Sequence, residues 1–253
     1  MAAERFLALM DQLEAEFAPR LTPPLEAAAR EYALNAIQGG FAHVILPQMA
    51  RDLQSVLADL WATSIRQTYA AFTEEYADGF PAAKADDLLS NLIENYVSGY
   101  RPGIAQQILD TTQRQIRASL SGGLLAGQAA DETYAELLDN IPGVSGIRGL
   151  LISRTEIHSA TQFASWQFAR RSSVRLRKVW NAVNDLHTRD FGGAGKISAF
   201  NHRVMDQTSV GVDDHFLVPH LGGGFEHLMF PGDPSGSAGN IINCRCIQLY
   251  ERA

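Results

Sequence analysis

An α+β fold, helix-rich in its N-terminal region and closed by a small C-terminal α+β module, is what this sequence predicts. Three observations carry that expectation. Apolar residues recur at helical spacing up to about residue 175, short alternating stretches and glycine loops replace that texture afterwards, and most chemistry-capable side chains gather in the second region. With 253 residues, 46% of them hydrophobic, the chain is long enough to bury one or two cores and has the composition of an ordinary soluble protein.

In the first region Phe6, Met10, Leu13 and Phe17 fall at i, i+4, i+7 and i+11, and Leu53, Val56, Leu57, Leu60 and Trp61 fall at i, i+3, i+4, i+7 and i+8. Each set lies on one face of an amphipathic helix. The stretch "LTPPLEAAAREYAL" predicts a separate helix entered through Thr22, Pro23 and Pro24. "ADGFPAAKADD" punctuates the helical region, and "RPGIAQQILDTTQRQIRASLSGGLLAGQAADETYAELLDNIPGVSG" predicts short helices joined by Gly, Ser and Pro turns. "SRTEIHSATQFASWQFARRSS" predicts a strong helix with Arg154 and Glu156 in its first turn, Ile157, Ala160, Ala164 and Phe168 on one face, and an end at Ser172 and Ser173. Its aromatic residues Phe163, Trp166 and Phe168 spread beyond that face, so it is expected to be packed on several sides.

From residue 175 the texture changes. "VRLRKVWNAV" alternates apolar and basic residues as a half-buried strand does, "FGGAGK", "LGGGFEH" and "PGDPSGSAGN" are loops, and "IINCRCIQLY" is expected to be a closing strand. The chain is therefore expected to comprise a helical region over 1–104 suited to partner docking, a helical connector over 105–174 and a C-terminal module over 175–253.

A formal net charge of −7 excludes a global attraction to nucleic acid or anionic membrane. Residues 1–175 carry 14 basic and 20 acidic residues and residues 176–253 carry 7 and 8, so the module is nearly neutral and any DNA contact must be local. Apolar runs such as "AHVIL" and "GLLIS" fall far short of the roughly 20 residues of a membrane span. "MAAERFLALMDQLEAEF" has acids where a signal peptide is basic, which predicts folding in the cytoplasm.

Five of the seven histidines, His187, His202, His215, His220 and His227, lie in the module with Asp185, Asp206, Asp213 and Asp214, and the chain's two cysteines, Cys244 and Cys246, close it. In an extended strand, side chains two apart share a face, so the two sulfurs would stand side by side. A disulfide is disfavoured, because Cα atoms two apart in a strand sit at or beyond the top of the ~4.4–6.8 Å range. Two readings remain open: a zinc site completed by His202 with Asp185 or His187, or two small thiols packed as apolar side chains. A catalytic reading, with His202 as general base, finds no Gly-x-Ser-x-Gly, P-loop or His-Glu-x-x-His to support it.

"KVWNAVNDLHTRDF", "FNHRVMD", "HFLVPHLGGGFEHLMFPGDP" and "IINCRC", in that order, resemble the phage Mu F-like minor head protein family, and "SRTEIHSA" matches the Arg-Thr-Glu segment that precedes the family's module. The resemblance covers about residues 105–250. It rests on Trp180, Asp185, Thr188, Arg189, His202, Phe216, Pro231, Gly232, Asp233, Asn243, Cys244, Arg245 and Cys246. The link "DFGGAGKISAFN" is longer than usual, and Asp206 stands where the family more often has glycine. The resemblance implies a minor head protein of a tailed phage or phage-derived particle, and the lack of a catalytic motif adds the expectation that it is not an enzyme. Such a protein is present in few copies, associates with portal protein, major capsid protein or scaffolding protein, and accompanies packaged DNA. It also implies assembly in the bacterial cytoplasm and a final place in the virion. The apolar helix faces add an expectation of self-association. The alternatives are a metal-dependent hydrolase or toxin-like enzyme delivered with the particle, and a portal-adjacent adaptor.

By chemistry, Trp180 is expected to anchor the core, Asp185 and Arg189 to pair across a turn or cap, Asp233 to stabilise its Pro-Gly turn, and Asn243 to do similar work at a strand entrance. His202 is expected to be a metal ligand, a buried hydrogen-bond partner or a catalytic group.

Overall fold

Helical periodicity produces longer helices than the proline and glycine punctuation predicts. A computed structural model describes residues 3–39, 46–75, 85–100, 103–192 and 195–253, so most of "ADGFPAAKADD" lies outside the described residues. The helices are α1 (Ala3–Gly39), α2 (Pro47–Glu75), α3 (Ala85–Asn95, followed by a π-turn over Tyr96–Tyr100), α4 (Ile104–Leu125) and α5 (Ala130–Ala169). The chain forms an α+β protein, with a small sheet module after the helices.

Two expectations need correction. No new helix starts at Thr22: α1 runs through Pro19, Pro23 and Pro24. The expected short helices are two long ones, and α5 continues through Pro142 into the segment expected to begin a helix of its own. An interior proline removes one backbone hydrogen bond and crowds the preceding turn. Burial offsets that cost here. Phe17, Leu21, Leu25, Ala28, Ala29 and Tyr32 form one buried stripe along α1, and the Thr22 hydroxyl donates to the Ala18 carbonyl at 3.0 Å. At Gly149 α5 comes so close that an added Cβ would lie 2.8 Å from Thr22 Oγ1 and 3.0 Å from the Ala18 oxygen.

The chain divides into two compact units. One, Glu14–Leu60 with Pro102–Ser153, holds helices and their connecting turns and no strand among its described residues. The other, Met1–Leu13, Trp61–Arg101 and Arg154–Ala253, holds the sheet module together with the last turns of α5. Within this second unit residues 155–169 are buried without a break, as expected of a helix packed on several sides. Phe168 meets Phe72 at 5.2 Å between ring centroids, and Phe72 in turn meets Phe6 at 6.0 Å and Tyr250 at 6.2 Å.

The module contains β1 (Leu176–Asn181), β2 (Arg189–Asp190), β3 (Lys196–Ile197), β4 (Ser209–Gly211), β5 (Phe216–Pro219), β6 (Phe225–Leu228), the short α6 (Ala238–Ile241) and β7 (Ile247–Arg252). β1 is the centre of a three-stranded antiparallel sheet in the order β4-β1-β7, with Trp180 opposite Gln248. Lys178 and Trp180 share one face of this central strand and are both fully buried, and Val179 between them is buried on the other, so the strand is covered on both faces there. The "IINCRCIQLY" segment is not one strand: α6 occupies its start, Asn243 turns the chain at φ 57°, and β7 begins only at Ile247.

Candidate metal centre

Cys244 and Cys246 lie in the irregular link between α6 and β7, so their sulfurs do not converge by sharing a strand face. They converge because the left-handed turn at Asn243 carries both into the module core beside Trp180, Phe200, Met205, Phe216, Val218 and Leu228. The core supplies the third group. His202 precedes a single 3₁₀ turn, Arg203–Met205, and its backbone N–H donates to the Arg189 carbonyl at 3.0 Å. Its ring meets Trp180 edge to face at 5.2 Å, and its Nδ1 lies 3.5 Å from Cys244 Sγ and 3.6 Å from Cys246 Sγ. His202 is 1% exposed and each cysteine 2%.

The orientation of His202 follows from the groups behind it. Glu226 can only accept, so it takes the Asn240 amide N–H at 2.5 Å, which turns the Asn240 oxygen toward His202 Nε2. That nitrogen therefore carries the proton, and Nδ1 faces the sulfurs with its lone pair. The hydrogen bond from Cys246 foremost pulls the Cys244 thiol well below the ordinary thiol range despite its burial. The hydrogen bond to Cys244 and burial push Cys246 up, while the Trp180 indole N–H and the Val183 backbone N–H act the other way. Trp180 Nε1 has no other hydrogen-bond partner.

Asp185 does not join these groups, which corrects the expectation that it would complete a metal site. Its Oδ1 accepts from the backbone N–H groups of His187 and Thr188 and from the Thr188 hydroxyl, and its Oδ2 lies 3.7 Å from Arg245. Those bonds hold its carboxyl below the usual range against burial, the largest influence, which raises it. Nor does Asp185 pair with Arg189. The Arg189 guanidinium is buried and donates to the carbonyls of Gly239 (2.8 Å) and Ile242, capping the end of α6. His187 is exposed, His215 and His227 face each other at 6.0 Å, and His220 packs on Phe200 at 4.9 Å. The histidine enrichment thus contributes one residue to the site.

The other motif residues serve the same knot. Trp180 and Phe216 pack edge to face at 5.2 Å in the core. Asp233 accepts from Met229 N–H (2.7 Å) and from Ser235 N–H (2.9 Å), as a turn stabiliser does. Asp206 accepts from the Ala182 backbone and Asn184 side chain, pinning the chain after β1. Pro231 and Gly232 are buried against α5: the Ser159 hydroxyl donates to the Gly232 carbonyl at 2.7 Å, and a Cβ at Gly232 would lie 2.3 Å from His158 Nδ1. Arg154 donates to Asn243 Oδ1 at 3.1 Å, the Asn243 N–H to Thr155 Oγ1 at 3.0 Å, and His158 Nε2 to the Cys246 carbonyl at 2.6 Å. Burial lowers the pKa of His158, which leaves a neutral ring suited to that bond. His158, Asn240 and Glu226 were not among the residues singled out from sequence. For His158 a signal exists: Thr155, His158, Ser159 and Gln162 repeat at i, i+3, i+4 and i+7, a polar stripe on a helix that is buried all round.

The chain is 24% identical over 196 residues to the uncharacterized protein YqbB of Bacillus subtilis, a match covering 78% of this chain and 60% of that protein. It is 25% identical over 170 residues to the NAD(+)--arginine ADP-ribosyltransferase EFV of Enterococcus faecalis, covering 64% of this chain and 31% of that protein. The chain thus spans less than two thirds of either relative. No family model and no solved structure matches it.

Proposed function

We propose that this chain is a minor head protein of a tailed phage or phage-derived particle, built into the virion during assembly in the bacterial cytoplasm. Its partners in this reading are the portal protein and the inner capsid, through the major capsid or scaffolding protein, at the site where packaged DNA enters. One observation carries the reading: the motif residues from Trp180 to Cys246 are occupied with one another and with α5, in capping, turns and core packing. A motif consumed by internal cohesion serves a fold that acts through its surface. The helical unit offers such a surface, because Leu34, Ile37, Val144, Ile147 and Leu150 are exposed on α1 and α5. Among the described residues no helix is long and apolar enough to cross a membrane.

The relation to a transferase favours a second reading, an enzyme delivered with the particle. The match spans 31% of that relative, and we assign the docking role to the shared segment. The test is co-expression with portal, capsid and scaffolding proteins, followed by purification of particles and incubation of the isolated chain with labelled NAD and arginine-rich acceptor protein. Incorporation into particles at low copy without label transfer is expected. Label transfer would favour the enzyme, and exclusion from particles would overturn the assembly role.

A further inference from the structure

The geometry points to a structural zinc ion held by His202 Nδ1, Cys244 Sγ and Cys246 Sγ, which closes the C-terminal module. Zinc lies about 2.3 Å from sulfur and about 2.0–2.1 Å from imidazole nitrogen, so a tetrahedral ion separates those atoms by about 3.6 Å. The observed separations are 3.5 and 3.6 Å. The three donor atoms all lie within 4.8 Å of one another, and among the described residues no other histidine, cysteine or acid joins them. The fourth corner falls to a small non-protein ligand such as water.

Two further features fit an ion better than a pair of packed thiols. First, the imidazole is presented for ligation: Asn240 and Glu226 fix the proton on Nε2, the arrangement that commonly orients metal-bound histidines. A purely apolar packing role would need no buried amide and carboxylate behind the ring. Second, Trp180 Nε1 is buried in the same core cluster as the two cysteines and has no hydrogen-bond partner. A thiolate bound to a cation accepts that N–H, whereas a neutral thiol accepts it weakly. Charge also balances. Two thiolates and one divalent cation sum to zero, so the ion removes the penalty of a thiolate alone in an apolar core. Burial of all three side chains excludes substrate access, so the site is structural rather than catalytic.

The location explains what the ion would hold. Cys246 is the residue whose carbonyl meets His158, and Asn243 is the one tied to Arg154 and Thr155, so ligation would fix the link that seats the module on the last turns of α5. A module of about 80 residues with many loops gains from such a clasp.

The experiment uses the full chain, purified without added metal, and reads zinc content, melting temperature with and without a strong chelator, and the visible spectrum after exchange with Co²⁺. One zinc per chain, a lower melting temperature on chelation, and the thiolate-to-metal and d–d bands of tetrahedral cobalt are expected. Cys244→Ser and His202→Ala should lose the ion. Should those variants fail to fold, Glu226→Gln decides, since loosening the support behind His202 should weaken zinc affinity about 10–100-fold in chelator competition while the fold persists. Chain that refolds metal-free, with a melting curve that added zinc leaves unchanged and thiols that react with an alkylating reagent equally fast with and without zinc, would overturn the site. This site stands apart from the assembly reading: zinc is measured on the isolated chain, docking only in particles.

Discussion

The two compact units keep their shape by different means. The helical unit relies on apolar stripes, and it accommodates Pro19, Pro23, Pro24 and Pro142 inside helices and Gly143 and Gly146 with open space around them. The unit holding the sheet module relies on hydrogen bonds between positions far apart in sequence: Ser159 with Gly232, His158 with Cys246, Gln162 with Gln248, Arg189 with Gly239 and Ile242. Apolar burial is non-directional and tolerates a missing bond or an odd residue, whereas a buried polar partner leaves the full desolvation cost behind when it is lost. The same class of substitution should therefore be mild in one unit and severe in the other.

Glycine to alanine makes that contrast sharpest at Gly232. The residue sits at φ 76°, and a Cβ there would lie 2.3 Å from His158 Nδ1. The backbone conformation alone costs about 1–2 kcal/mol for an L side chain, and overpacking adds about 1–3 kcal/mol. Gly232→Ala should lower stability by about 2–5 kcal/mol in chemical denaturation. In a His158→Ala background the same change should cost only the backbone share, and an undiminished cost there would mean that the close approach to α5 is not what requires glycine.

Much of the architecture was legible, and the misses share a cause. The helical stripes, the change of texture near residue 175, the role of Trp180 as core anchor and the turn at Asp233 could be read from residue type and spacing, because each depends on near neighbours. The His202, Cys244 and Cys246 set was legible as chemistry and misread as geometry. Strand alternation predicts aligned sulfurs, and a left-handed Asn243 brings them together instead. Asp185 reads as a ligand in sequence, but nearby amides and Arg245 occupy its carboxylate. Asn240 and Glu226 escaped notice because their part depends on a contact with a residue 38 positions from the first. The prolines of α1 and α5 misled because tertiary burial outweighs a local cost that sequence displays in isolation.

On the helical side the matched substitution is Gly146→Ala. Gly146 lies inside α5, and an added Cβ meets nothing within 4 Å. Alanine in a helix interior is favoured over glycine by about 0.5–1 kcal/mol. The variant should raise the melting temperature slightly, and Gly143→Ala should do the same. A loss instead of a gain would mean that this stretch of α5 makes a close contact that only glycine allows, as packing against a second copy of the chain would require.

A third contrast separates the units by pH. Lys178 is fully buried in β1, donates from Nζ to the Met229 carbonyl at 2.5 Å and lies 5.2 Å from the Phe216 ring centroid. Burial lowers its pKa to about 8, and Asp213, Asp214 and Asp233 limit the fall. In the unfolded chain the group titrates near 10.4. Between those values the unfolded state holds a proton that the folded state has released, so stability rises with pH across that window and is flat with respect to this group below it. Lys178→Met removes the titration while keeping an unbranched chain of similar length, at the cost of the bond to Met229. The difference in denaturation midpoint between the parent chain and Lys178→Met, followed from pH 7 to about pH 10, should therefore move in favour of the parent as pH rises. Because both proteins share every other titrating group, thiols and tyrosines cancel in that difference. Parallel midpoints across the range would place the ammonium in water and remove Lys178 from the buried strand that sets the module apart.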